Sequence, residues 1–118
     1  MKYTYRVEVY TSNRTMAISA YMDDETPYGT CTLNLEEYGV TPPLGYIFIP
    51  AYKISPEFLK NIITDLGDPD YKALPFCMGP FNASMYLMKL RDDWPEVMSV
   101  DPLTMAILRK EAEVPDDF

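Results

Sequence analysis

The side chains able to do chemistry in this chain are carboxylates and two thiols, residue types whose ordinary pKa values lie away from neutrality. There are 18 Asp and Glu, two Cys and no His. The usual general base at pH 7 is therefore missing, as is every arrangement that activates a Ser or Cys through an imidazole. The densest acids are Asp23-Asp24-Glu25 and Asp92-Asp93. Adjacent acids point in different directions, and a catalytic pair needs a cleft that drives its two pKa values apart. Both runs read as solvated loop charge. Asp65, Asp68 and Asp70 depart from the calcium-loop pattern, with no Glu at the closing position. Cys31 and Cys77 are too few and too far apart for a zinc motif, and read as two buried, inert thiols. The five glycines are scattered, so there is neither a phosphate loop nor a dinucleotide fingerprint. No catalytic residue, metal or cofactor is expected, and the protein reads as a non-enzyme.

Charge narrows the partners. The formal net charge is -8, and the ten basic residues are dispersed, with Arg109-Lys110 the only adjacent pair. Such a field repels nucleic acid and favours a basic protein partner. From Arg91 to the C-terminus eight acids face three basic residues. The N-terminus alternates in place of a signal-peptide core, and no run approaches the ~18 apolar residues of a membrane helix. The expectation is a cytoplasmic protein with no membrane contact, in which the sequons at Asn13 and Asn82 have no role.

The elements that must position any site are legible from periodicity. At 118 residues and 47% hydrophobic, the chain fits a single domain with a short acidic tail from about residue 114. Lys2 to Tyr10 alternates with Tyr3, Tyr5, Val7 and Val9 on one face, and Met16 to Met22 resumes after a turn to complete a hairpin. Thr30 to Leu35 alternates again, with Cys31, Leu33 and Leu35 inward, and predicts a third strand. Tyr46 to Ile49 is an apolar run stopped by Pro50. Ser55, Pro56 and Glu57 start a helix whose stripe is Phe58, Leu59, Ile62, Ile63 and Leu66, and Gly67 supplies a left-handed stop. Asp68 to Pro80, with three prolines and Gly79, predicts an irregular stretch before a last strand over Ala83 to Leu90. Asp101-Pro102 opens a second helix to about Glu113, followed by a tail at Pro115, Asp116 and Asp117. The fold class is α+β: an antiparallel sheet of about five strands with one helix packed on a face and a C-terminal helix.

The candidate site follows from the alternation. With Ile18, Ala20, Cys31, Leu33, Ile47, Ile49, Met85 and Leu87 facing the first helix, Tyr21, Tyr46, Phe48, Tyr86 and Met88 fall on the opposite face, an aromatic patch with a polar rim. The patch stays open unless the Pro102 helix folds over it. Beside it, Asp92 and Asp93 offer charge, and Trp94 is either a binding anchor or a plug before the last helix.

Pro27-Tyr28-Gly29, Leu33-Asn34-Leu35, the Phe58 to Gly67 helix ending Asp65-Leu66-Gly67, and Gly79 with Tyr86 together resemble a family of short bacterial proteins of unknown function. Their likeness spans about residues 16–88 and departs from the family in lacking a second glycine near Asp70. It implies a small protein carried on mobile elements of gut bacteria, with no assigned chemistry. The function expected is a protein-binding module, an acidic inhibitor or nucleic-acid mimic directed at a host defence protein; the alternative is an assembly protein that forms a homodimer through its sheet.

Overall fold

In the computed structural model, which describes residues 2–116, the strands divide into two sheets that share one core. Strand β1 (Thr4–Tyr10) pairs antiparallel with β2 (Thr15–Tyr21), and β2 with the short β3 (Pro27–Thr30). The second sheet has the order β4 (Tyr46–Ile49), β6 (Ala83–Lys89), β5 (Leu74–Met78), all antiparallel. The α+β class holds, and the single sheet of about five strands is corrected to two of three. Alternation marks which face of a strand is buried but does not say which strand it pairs with.

The segment Cys31–Leu35 shows how the sheets part. Expected as a strand, it runs between ladders: Cys31 N donates to Ile18 O at 2.8 Å, and two residues on Leu33 N donates to Phe48 O at 3.0 Å. Its burial departs from the expected alternation: Cys31 is buried in the main core and Leu35 in a separate cluster, Leu33 is half-buried beside Leu35 instead of facing α1, and Thr32 is buried as well; the segment belongs to neither sheet. Thr32 is buried between them, where its hydroxyl accepts from Ile18 N at 3.1 Å and shares a hydrogen bond with the Tyr10 hydroxyl at 3.1 Å. The polar group is thereby satisfied at the seam.

Helix α1 (Pro56–Leu66) starts where its sequence signals place it, with Ser55 Oγ accepting from Phe58 N at 3.1 Å. Phe58, Ile62 and Leu66 are buried. They join Tyr3, just before β1, and Tyr5, Val9, Met16, Ile18 and Ala20 of the first sheet to Ile47, Ile49 and Met88 of the second. Burying each large aliphatic side chain stabilises the fold by about 1.5–3 kcal/mol. The helix stop differs from expectation. Gly67 is extended (φ -76, ψ 150) and bridges to Leu90. A Cβ there would lie 2.6 Å from Ile63 O and 3.0 Å from Met88 Sδ, so glycine serves close packing and not a left-handed turn.

Three further corrections concern the second half. The stretch before the last strand holds β5, which its prolines concealed. A short helix α2 (Trp94–Val97) occupies the expected polar link, and α3 (Pro102–Leu108) ends five residues before Glu113. The cap of α3 is as predicted: Asp101 accepts from Thr104 N and from Thr104 Oγ1, both at 2.8 Å. Ile107 and Leu108 join the main core along with Trp94 and Met98. Among the described residues, no helix is long and apolar enough to cross a membrane.

Candidate functional site

The second sheet is apolar on both faces, and the side turned away from α1 holds the candidate site. Register decides the membership. Ile47 stands opposite Met88 and Ile49 opposite Tyr86, while Phe48 stands opposite Leu87. Opposed residues share a face, so Tyr86 and Met88 lie on the α1 side with Ile47 and Ile49, and Leu87 and Met85 lie on the far side with Phe48. The expected grouping had β6 one residue out of phase. Both of its faces carry large apolar residues, so alternation alone could not set the phase.

On that far face Leu35, Phe48 and Met85 form a small buried core of their own, with Leu33, Val40, Phe76, Met78 and Leu87 packed around it. Phe48 and Phe76 meet edge to face, with centroids 5.7 Å apart. Outside this core an open channel of about 510 Å³ runs between the Val40–Pro43 segment and β5, with Phe48 and Leu87 in its floor. Among the described residues no charged side chain lines it. Leu74 is 60% exposed at its margin, and Phe81, at the tip of the β5–β6 hairpin, is 92% exposed. Helix α3 packs against β1 and leaves the channel open.

The eight candidate residues are thus dispersed. Phe48 lines the channel but is buried beneath Phe76. Met88 is buried in the main core, Tyr86 is half-buried on the α1 face, and Tyr46 lines a different cleft. Tyr21 belongs to the other sheet, where the Arg6 guanidinium lies 4.1 Å from its ring centroid. Trp94 is a buried plug, which removes it as a contact anchor. Asp92 and Asp93 are exposed and already engaged: Lys89 Nζ donates to Asp92 at 2.9 Å, and Arg91 Nε and Nη2 donate to Asp93 at 2.6 and 3.0 Å.

Lys89 is the hub of this acidic edge. Its ammonium also donates to Asp68 at 2.8 Å and lies 5.1 Å from the Tyr71 ring centroid. The hydrogen bond from Lys89, helped by the Asp70 amide, holds the Asp68 carboxyl below the usual carboxylate range. The same contacts, with Asp68 first and Asp92 second, raise Lys89. No group of three acids or cysteines among the described residues is placed to hold a metal ion. Burial pushes the Cys31 thiol up to about 12, in keeping with an inert thiol. Cys77, expected to be buried, is exposed on β5. Asp116 is exposed, and Asp117 lies outside the described residues.

Leu74, Phe76 and Met78 were missed as site residues because Pro69, Pro75, Pro80 and Gly79 mask their strand. The signal was present. Leu74-Pro75-Phe76-Cys77-Met78 alternates, an edge strand tolerates proline, and Gly79 to Asn82 is a four-residue turn between two alternating runs. In comparisons with known proteins, no family model, curated protein or solved structure matches this chain.

Proposed function

We propose that this is a non-enzymatic protein-binding module whose apolar channel takes an uncharged segment of a protein partner. One observation carries the reading: Leu74 lies exposed beside Phe76 and Leu87 in a channel without a charged lining residue among those described, on a chain of net charge -8. An apolar surface kept open on a strongly charged molecule suits recognition. The surrounding acid excess selects a basic partner and speeds its approach. An inhibitor that occupies the basic groove of a host defence enzyme in the bacterial cytoplasm fits both features, and it fits the mobile-element setting that the resemblance implies. Self-association is the second reading, favoured because β5 is an edge strand bordering the channel.

Capture from a bacterial lysate at low and high salt, with the native chain and with Leu74→Asp, tests the proposal. A partner held by the native chain and lost by a folded Leu74→Asp chain supports it. An unchanged capture profile removes the channel. Sedimentation of the purified chain over a range of concentrations separates the second reading, which requires a dimer that Leu74→Asp dissolves.

A further inference from the structure

A second cleft, which shares Thr41, Pro42 and Pro43 with the channel, carries a local charge contrary to that of the molecule. It lies between the β1–β2 turn, the Thr41–Gly45 loop and the end of α3, encloses about 650 Å³, and is lined by Arg14, Arg109 and Lys110, with Glu111 the one acid among the described residues. Three of the chain's ten basic residues thus meet in one place. Among the described residues Arg109 and Lys110 have no ion-pair partner. Arg14 does: Glu113 Oε2 stands 2.7 Å from its Nη2, on a side chain that is 91% exposed. A carboxylate from the chain's own tail is therefore already seated on one of the three cations.

The backbone adds an independent observation. Among the described residues five non-glycine residues have positive φ, and two of them are Arg14 (φ 56) and Lys110 (φ 61). Arg14 closes the β1–β2 turn, donating from its amide to Tyr10 O at 2.8 Å. Lys110 follows the last turn of α3, donating from its amide to Ile107 O at 3.0 Å, while Glu111 N donates to Ala106 O at 2.8 Å. Glycine or asparagine is the favoured residue in such left-handed positions. At both, the chain accepts backbone strain and places a long cation beside the same cleft, the pattern found where strain serves a site.

We propose that this cleft binds an acidic peptide segment of a protein partner, with Arg14, Arg109 and Lys110 receiving its carboxylates and Glu113 competing for Arg14 as an intramolecular stand-in. Met16, Leu44, Tyr46 and Leu108 supply apolar wall, which glutamate stems and peptide backbone use and an inorganic anion does not. The global charge of -8 penalises a dense polyanion such as nucleic acid more than a short peptide.

Binding of labelled hexaglutamate, followed by fluorescence anisotropy at low salt, tests this against hexaglutamine, inorganic phosphate and a single-stranded oligonucleotide. The native chain should bind hexaglutamate over hexaglutamine. Removing one cation should weaken binding about two- to fivefold, the size of one exposed ion pair, and Glu113→Gln should tighten it by a similar factor. Arg14→Gly and Lys110→Gly are the diagnostic variants: each should raise the thermal midpoint by relieving strain while lowering affinity. Equal binding of the two peptides, a preference for phosphate or the oligonucleotide, or glycine variants that keep full affinity would overturn the proposal. An affinity that Glu113→Gln leaves unchanged would overturn the competitor role.

Discussion

Tyr5 donates its phenolic proton to Asp65 Oδ2 at 2.6 Å, joining residues 60 positions apart and fixing how the last turns of α1 lie against β1. The ring is buried, and burial first, then the neighbouring carboxylate, pushes its ionisation far above the ordinary tyrosine range. Tyr5→Phe keeps the ring and removes the bond. At pH 7 it should cost about 1–2 kcal/mol in urea unfolding, the scale of a partly exposed hydrogen bond to a charged acceptor. Because the folded pKa is raised, the stabilisation is complete below the unfolded value of about 10 and is lost as pH rises beyond it. The Phe variant should therefore lose less stability than the native chain between pH 10 and 11.

Cys31 provides a second alkaline transition with an earlier onset. Its thiol is fully buried and shifted to about 12, so only the unfolded chain ionises at moderately alkaline pH. Stability should be level below about pH 8.5 and fall from there toward pH 12, by roughly 5 kcal/mol at full development. Cys31→Ala costs packing at every pH but removes this slope. Urea unfolding at pH 7.5 and pH 10 should show a smaller pH difference in the variant; equal differences would exclude Cys31 as the source.

Gly67 separates two explanations of the same residue. A left-handed helix stop accepts Asn better than other non-glycine residues. The extended Gly67, hemmed by Ile63 O, accepts neither Ala nor Asn. Both substitutions should destabilise the fold by several kcal/mol, with Asn no better than Ala. Tolerance of Asn in a thermal melt would restore the left-handed stop.

Gly67 also marks where sequence reasoning stops. The capped starts of α1 and α3 were legible because Ser55-Pro56 and Asp101-Pro102 act locally. So was the first hairpin, whose core face alternates against a polar one. The phase of β6 was not, since Met85 and Leu87 are as apolar as Tyr86 and Met88 and the sheet has a core on each side. Pairing was hidden too: Cys31 and Leu33 alternate as one strand, yet their amides serve different sheets. Half of the channel vanished with β5, because Pro75 on an edge strand resembles a loop proline until its partner strand is known. The chemistry that the residue types excluded, above all imidazole-based catalysis, was legible at once; the residues that gather around an open surface depend on register, which no single strand encodes.

The acidic edge should divide by burial, not by charge. Asp68 is largely enclosed and accepts from both Lys89 and the Asp70 amide, whereas Asp92 touches Lys89 with a side chain that is 93% exposed. Asp68→Asn should lower stability clearly, and Asp92→Asn hardly at all. Since the Asp68 pKa is depressed on folding, its contribution is present above the unfolded value near 3.9 and lost as pH falls through the folded one. Acid unfolding should therefore begin at higher pH in the native chain than in Asp68→Asn, once the two are compared relative to their stability at pH 7.

The last prediction separates the floor of the channel from its margin. Phe48 is 6% exposed and packed between Phe76, Leu35 and Met85, while Leu74, two strands away on the same face, is 60% exposed. An aspartate at position 48 would bury a carboxylate with no cation in the surrounding cluster. The choice between charging it in an apolar site and protonating it costs several kcal/mol either way. An aspartate at position 74 meets water and should leave the unfolding free energy in urea within about 0.5 kcal/mol of the native chain. If partner binding uses the channel, both variants lose it, but only Leu74→Asp does so as a folded protein. The pair therefore distinguishes a lost surface from a lost fold. A Leu74→Asp chain that unfolds like Phe48→Asp would show that the margin is core, and the channel would no longer be an open surface.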